Sequence, residues 1–234
     1  MIKQITLELC TGNIDDCLAM IDSPVDRFEL NSALELDGLT PTLHTLRTLR
    51  SYTDKPIMCM IRPHTAGFTY TEQEYRIMLE DAAEMLENGA DGIVFGFLND
   101  GHEIDKTRTA ALADLAHRYH AEAVFHKAFD LVKDPFTACE TLIACGIDRV
   151  LTSGTAPDAL SGSPILQQLI RKYSTGIDIL PGGGITAENV RTLIQNTGTN
   201  MIHFSAKSRV YQDGMYYRTD IRKTDALFRE LENL

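Results

Sequence analysis

Three consecutive glycines, Gly182, Gly183 and Gly184, close the apolar part of the segment I-D-I-L-P-G-G-G-I-T at 177–186. The pattern is that of a buried strand running into a turn, with Thr186 placed to cap a following helix. A turn without side chains lets a ligand reach the backbone N–H groups, and amides at a helix start favour an anion such as phosphate. Ser205 and Lys207, just after the last apolar run, add a hydroxyl and an ammonium to the same expected site. A second set is ionisable: Glu8, Glu29, Arg62, His126 and His203 lie within or at the ends of short β-rich runs. Such groups could hold a phosphorylated or carboxylated metabolite and move a proton, with Arg62 as the clamp and His126 or Glu8 as acid or base. Met58 and Met60 read as core filler. The bland alternatives are a tight turn without ligand and a structural Glu8–Arg62 ion pair.

Elements that could position these residues recur along the chain. Eight short β-rich runs fall at 4–10, 27–31, 57–62, 92–97, 123–127, 149–153, 177–180 and 201–205, each followed by a loop and an amphipathic stretch. Thr71 with Glu74 forms a capping box, while Thr40-Pro41, Asp134-Pro135 and Ser163-Pro164 place a capping residue before a helix-starting proline. Gly89 and Gly146 read as helix stops. Eight βα units predict parallel strands closed into a single α/β domain, a (β/α)₈ TIM barrel spanning 1–234. Alternation then sets the facing. Leu7, Leu9, Phe28, Leu30 and Cys59 should face the helices, and Glu8, Cys10, Glu29, Asn31, Met58, Met60 and Arg62 the interior. His126, His203 and Ser205 end strands on the same C-terminal face, where barrel proteins carry their sites. The longest loops, at 32–39, 63–70 and 206–219, lie on that face too, and Cys17, Cys139 and Cys145 read as packing residues on helices.

Composition narrows the partners. Acidic residues number 33 against 22 basic, a formal charge of −11, which argues against nucleic acid or an anionic membrane as partner. Five cysteines without C-x-x-C spacing suit reduced thiols in the cytoplasm. No apolar run approaches a membrane span.

Seven stretches in order carry a family resemblance: L-E-L-C (7–10), D-G-L-T-P (37–41), M-I-R-P (60–63), D-G-I-V-F-G (91–96), F-H-K-A-F-D (125–130), R-V-L-T-S-G (149–154) and P-G-G-G-I-T (181–186). Together they resemble the CutC family of copper homeostasis proteins, over the first strand to about Arg218. The resemblance implies a cytoplasmic TIM barrel, a homodimer or homotetramer, and Cu(I) binding with Cys10 as ligand. Three departures stand out. Residues 62–68 read R-P-H-T-A-G-F where R-P-R-G-G-D-F is common, Lys127 replaces an arginine, and Asn31 stands where the family has a second thiol. Two functions follow, a Cu(I)-binding protein or a barrel enzyme acting on a small anionic metabolite.

Overall fold

The computed structural model describes residues 5–211 and 213–232. Its eight barrel strands are β1 (Thr6–Thr11), β2 (Arg27–Leu30), β3 (Ile57–Met60), β4 (Gly92–Phe95), β5 (Glu122–Phe125), β6 (Arg149–Thr152), β7 (Asp178–Pro181) and β8 (Met201–Phe204). All neighbours pair in parallel, in the order β7-β6-β5-β4-β3-β2-β1-β8. A single parallel bridge, Gly182 to His203, joins β7 to β8 and brings the sheet to near closure. Between and after the strands lie α1 (Ile14–Ala19), α2 (Leu43–Arg50), α3 (Glu72–Glu87), α4 (Lys106–Arg118), α5 (Pro135–Ala144), α6 (Ser163–Tyr173), α7 (Val190–Thr197) and α8 (Ile221–Glu232). This is the expected (β/α)₈ barrel. Among the described residues no helix is long and apolar enough to cross a membrane.

The facing read from alternation holds. Leu7, Leu9, Phe28, Leu30 and Cys59 pack into one core cluster with Leu46 and Leu49 of α2 and Met78 and Ala82 of α3. Separate small clusters, Met58 with Met60, Val94 and Val124, and Leu151 with Leu180 and Met201, fill the interior.

Several boundaries move. Each of the eight strands except the first and seventh ends one or two residues before the expected end, where the chain leaves the ladder for the loops of the C-terminal face. The expected start at residue 4 lies outside the described residues. The Thr71 capping box and the Asp134 cap are present. Thr40 does not cap α2, which starts after Thr42. Its Oγ1 instead accepts the Arg62 N–H at 2.9 Å, while its own N–H donates to the Arg62 carbonyl at 3.0 Å. The α6 cap is Gly162, one residue before Ser163. Thr186 does not cap α7 either; Asn189 precedes that helix and its Oδ1 accepts the Thr186 N–H at 2.9 Å. The stretch expected as a loop at 206–219 contains an antiparallel hairpin, β9 (Lys207–Tyr211) with β10 (Met215–Thr219).

Candidate active site at the barrel mouth

A column of charge rises through the barrel, half-buried at its base and buried at Arg27 and Glu8. At its base, where β2, β5, β6 and β7 begin, Arg27 pairs with Glu122 at 2.6 Å, Glu122 with Arg149 at 2.9 Å, and Arg149 with Asp178 at 3.1 Å. Arg27 also reaches up to Glu8, Nε to Oε2 at 2.6 Å. The Glu8 partner is therefore Arg27, and Arg62 lies elsewhere. The other Glu8 oxygen meets His203 Nδ1 at 2.7 Å. Burial alone would raise the Glu8 carboxyl, but Arg27 and then His203 outweigh it and hold it well below the ordinary range. Glu8 is thus held as an anion that orients His203.

Above that pair the interior becomes a site. His203 Nε2 lies 3.8 Å from Glu29 Oε2. Burial works against the imidazolium, yet Glu29 and Glu8 together overcome it and raise the His203 pKa. Asn31 Nδ2 donates to Glu29 Oε2 at 2.9 Å and approaches Cys10 Sγ at 3.4 Å, so the Asn31 departure noted in the sequence adjoins Cys10. The other Glu29 oxygen, Oε1, is buried without a partner. Burial, and next the Glu29 charge, push the Cys10 thiol well above its usual pKa. Gly38, at φ +85°, allows this packing: a Cβ there would stand 2.5 Å from Asn31 Oδ1.

These groups face a cavity of about 920 Å³, within the range of small-molecule sites. Its lining includes Glu29, His203 and Cys10, Gly183, Gly184 and Ser205, and Arg62, His126, Lys127 and Lys207, with Asp37, Glu188 and Asp220 as further acidic residues. The three glycines divide in role. Gly182 N–H donates to the Thr152 carbonyl and belongs to the sheet, whereas the N–H groups of Gly183 and Gly184 have no acceptor among the described residues. Both latter glycines have positive φ, +111° and +68°. A Cβ on Gly183 would sit 2.9 Å from Lys127 Nζ, so the bare backbone is what lets that ammonium approach. Lys127 is held by Asp130 at 3.1 Å, and Asp130 also accepts from Thr152 Oγ1 and the Ser153 N–H, tying the loops after β5 and β6 together. Lys207 Nζ lies over the Tyr217 ring at 4.3 Å and 3.5 Å from the Leu34 carbonyl.

Arg62 and His126 differ from the sequence expectation in detail. Arg62 Nη1 donates to the carbonyls of Leu36, Asp37 and Gly38, pinning the loop after β2 over the cavity, with its guanidinium over Phe68. His126 Nδ1 accepts the Ala128 N–H at 3.2 Å, which leaves the ring proton on Nε2. That Nε2 is buried and unpartnered. Burial, reinforced by the Arg62 charge, lowers the His126 pKa to about 3. With Nδ1 accepting, the ring offers Nε2–H to the cavity as a hydrogen-bond donor. Arg27 escaped the sequence reading because its partners Glu8 and Glu122 lie 19 and 95 positions away; Asp130 stood in the F-H-K-A-F-D stretch without a role, its Thr152 and Ser153 partners lying 22 and 23 positions away.

A (β/α)₈ barrel with a polar cavity at the C-terminal strand ends has its candidate site where barrel proteins carry theirs. The chain belongs to the CutC family, whose family model matches residues 5–208. A CutC family protein of Treponema denticola is 44% identical over 207 residues, covering 88% of this chain and 83% of the relative. The human copper homeostasis protein cutC homolog is 35% identical over 212 residues, 91% of this chain and 77% of its own. The crystal structure of a CutC copper homeostasis protein from Streptococcus agalactiae superposes with a TM-score of 0.80 at 29% identity, covering 86% of this chain and 98% of that one. An N-(5'-phosphoribosyl)anthranilate isomerase from Pyrococcus furiosus, at 14% identity and TM-score 0.60, shares the fold.

The copper implied by the family fits these residues poorly. Cu(I) selects thiolate and thioether donors, whereas Cys10 stands among a carboxylate and an imidazole, beside an asparagine amide.

Proposed function

We propose that the protein is a barrel enzyme that binds a small phosphorylated or carboxylated metabolite in this cavity. The observation that carries the reading is the pair of acceptor-free amides, Gly183 and Gly184, beside the Lys127 ammonium. Bare amides on left-handed glycines form an anion cradle, and Lys127 and Lys207 supply charge despite the acidic whole. His126 Nε2–H donates to a ligand oxygen and stabilises charge that develops there. The five free cysteines suit a reducing cytoplasm, where we place the activity.

The test is thermal unfolding of metal-free protein against inorganic phosphate and a panel of sugar phosphates at matched ionic strength. A ligand at a hundred times its Kd adds about 2.7 kcal/mol, roughly 5–10 °C for a chain of this size. Lys127→Gln should shrink that shift while leaving the unliganded Tm within a few degrees. A panel without any stabilising anion, or a shift indifferent to Lys127→Gln, defeats the reading.

A further inference from the structure

Glu29, His203 and Cys10 each present one ligand atom to a common point, with all three atoms within 4.8 Å of one another. Each is prepared for coordination by something outside the trio. Glu8 holds His203 by Nδ1, which turns Nε2 toward Glu29 and is the carboxylate–histidine arrangement that orients metal-bound imidazoles. Asn31 grips Glu29 Oε2 at 2.9 Å, and Glu29 Oε1 remains a buried carboxylate oxygen with no donor. A 2% exposed carboxylate held by a neutral amide is costly in a protein interior unless a cation meets it. Arg27 is shared between Glu8 and Glu122, so it does not neutralise Glu29 as well. We propose that Cys10 Sγ, Glu29 and His203 Nε2 form a three-ligand site for a borderline divalent cation of the Zn²⁺ class, open to the cavity at its remaining position.

The donor set decides the metal class. One sulfur, one nitrogen and one oxygen match the mixed ligands of Zn²⁺ sites, whereas Cu(I) selects several soft donors and Mg²⁺ or Ca²⁺ prefer oxygen alone. Binding forms the Sγ–metal bond and sends the thiol proton to solvent, so affinity must rise with pH. The site is separable from the anion cradle, since Cys10 touches none of Gly183, Gly184 and Lys127 by any hydrogen bond or ion pair among the described residues.

Titration of the reduced, metal-free full chain with Zn²⁺ by calorimetry, and with Co²⁺ by absorbance, tests this. The expected result is one ion per chain, proton release, and a near-ultraviolet thiolate-to-Co²⁺ band. Cys10→Ser should abolish the band, Cys139→Ser should leave it, and Glu29→Gln and His203→Asn should each weaken Zn²⁺ more than about tenfold. Circular dichroism and Tm confirm that each variant is folded; Glu29→Gln keeps the side-chain shape if another variant is not. Absence of stoichiometric Zn²⁺ and Co²⁺ binding overturns the proposal. So does a band that survives Cys10→Ser, or Zn²⁺ affinity unchanged in Glu29→Gln.

Discussion

Replacing His126 by asparagine should change the pH dependence of stability in a direction and size the structure fixes. Asparagine can still accept the Ala128 N–H through Oδ1, so the local turn survives, but the titrating ring is gone. In the folded chain His126 has a pKa of about 3, against 6.5 for an unperturbed histidine, because it is buried and faces Arg62. A base whose folded pKa is depressed contributes its stability in full above the unfolded pKa and loses it as pH falls, because the unfolded chain takes the proton first. At pH 5 the unfolded histidine lies 1.5 units below its pKa, and at about 1.4 kcal/mol per unit the loss is about 2 kcal/mol. Glu8, with its lowered pKa, and His203, with its raised one, also titrate, but they do so in both proteins and cancel in the difference. Urea unfolding of wild type and His126→Asn at pH 7, 6 and 5 reads that difference. The stability advantage of wild type over the variant should shrink by about 2 kcal/mol from pH 7 to pH 5. A difference that stays flat over this window would refute the claim that the ring is held neutral, and with it the assignment of the proton to Nε2.

Three further outcomes are expected. Arg27→Met leaves the buried Glu8 without its guanidinium partner, while Glu122 keeps Arg149, and should cost about 3–5 kcal/mol in denaturant unfolding at pH 7, with a smaller loss at pH 4. Gly38→Ala places a methyl 2.5 Å from Asn31 Oδ1 at φ +85°, so it should destabilise by roughly 1–3 kcal/mol and alter Cys10 alkylation rates through the displaced Asn31. Thr71→Ala removes one half of the α3 capping box and should lower stability by about 1 kcal/mol with no effect on anion binding.

Much of the site was legible because a half-buried strand writes its facing with period two. Glu8 and Glu29, each set between apolar neighbours, could only point inward once the apolar set packed on the helices. Strand ends were less legible, since Arg62 and Asn31 continue the alternation after the ladder has stopped. The caps failed where a tertiary bond won: Thr40 is held by the Arg62 backbone, and Asn189, not Thr186, starts α7. The β9–β10 hairpin had its signal in Asp213-Gly214 between alternating residues, a turn pair that favours tight hairpins. Glu8 with Arg27 had none, because a charge pair between two strands depends on register, and register is a property of the assembled barrel.

The most direct test of the central claim is an amide NMR titration of ¹⁵N-labelled protein with inorganic phosphate, followed by the most stabilising sugar phosphate. The account predicts that the Gly183 and Gly184 cross-peaks move saturably and together, with the same apparent Kd as the thermal shift. Those two amides standing still while a ligand stabilises the protein would contradict it.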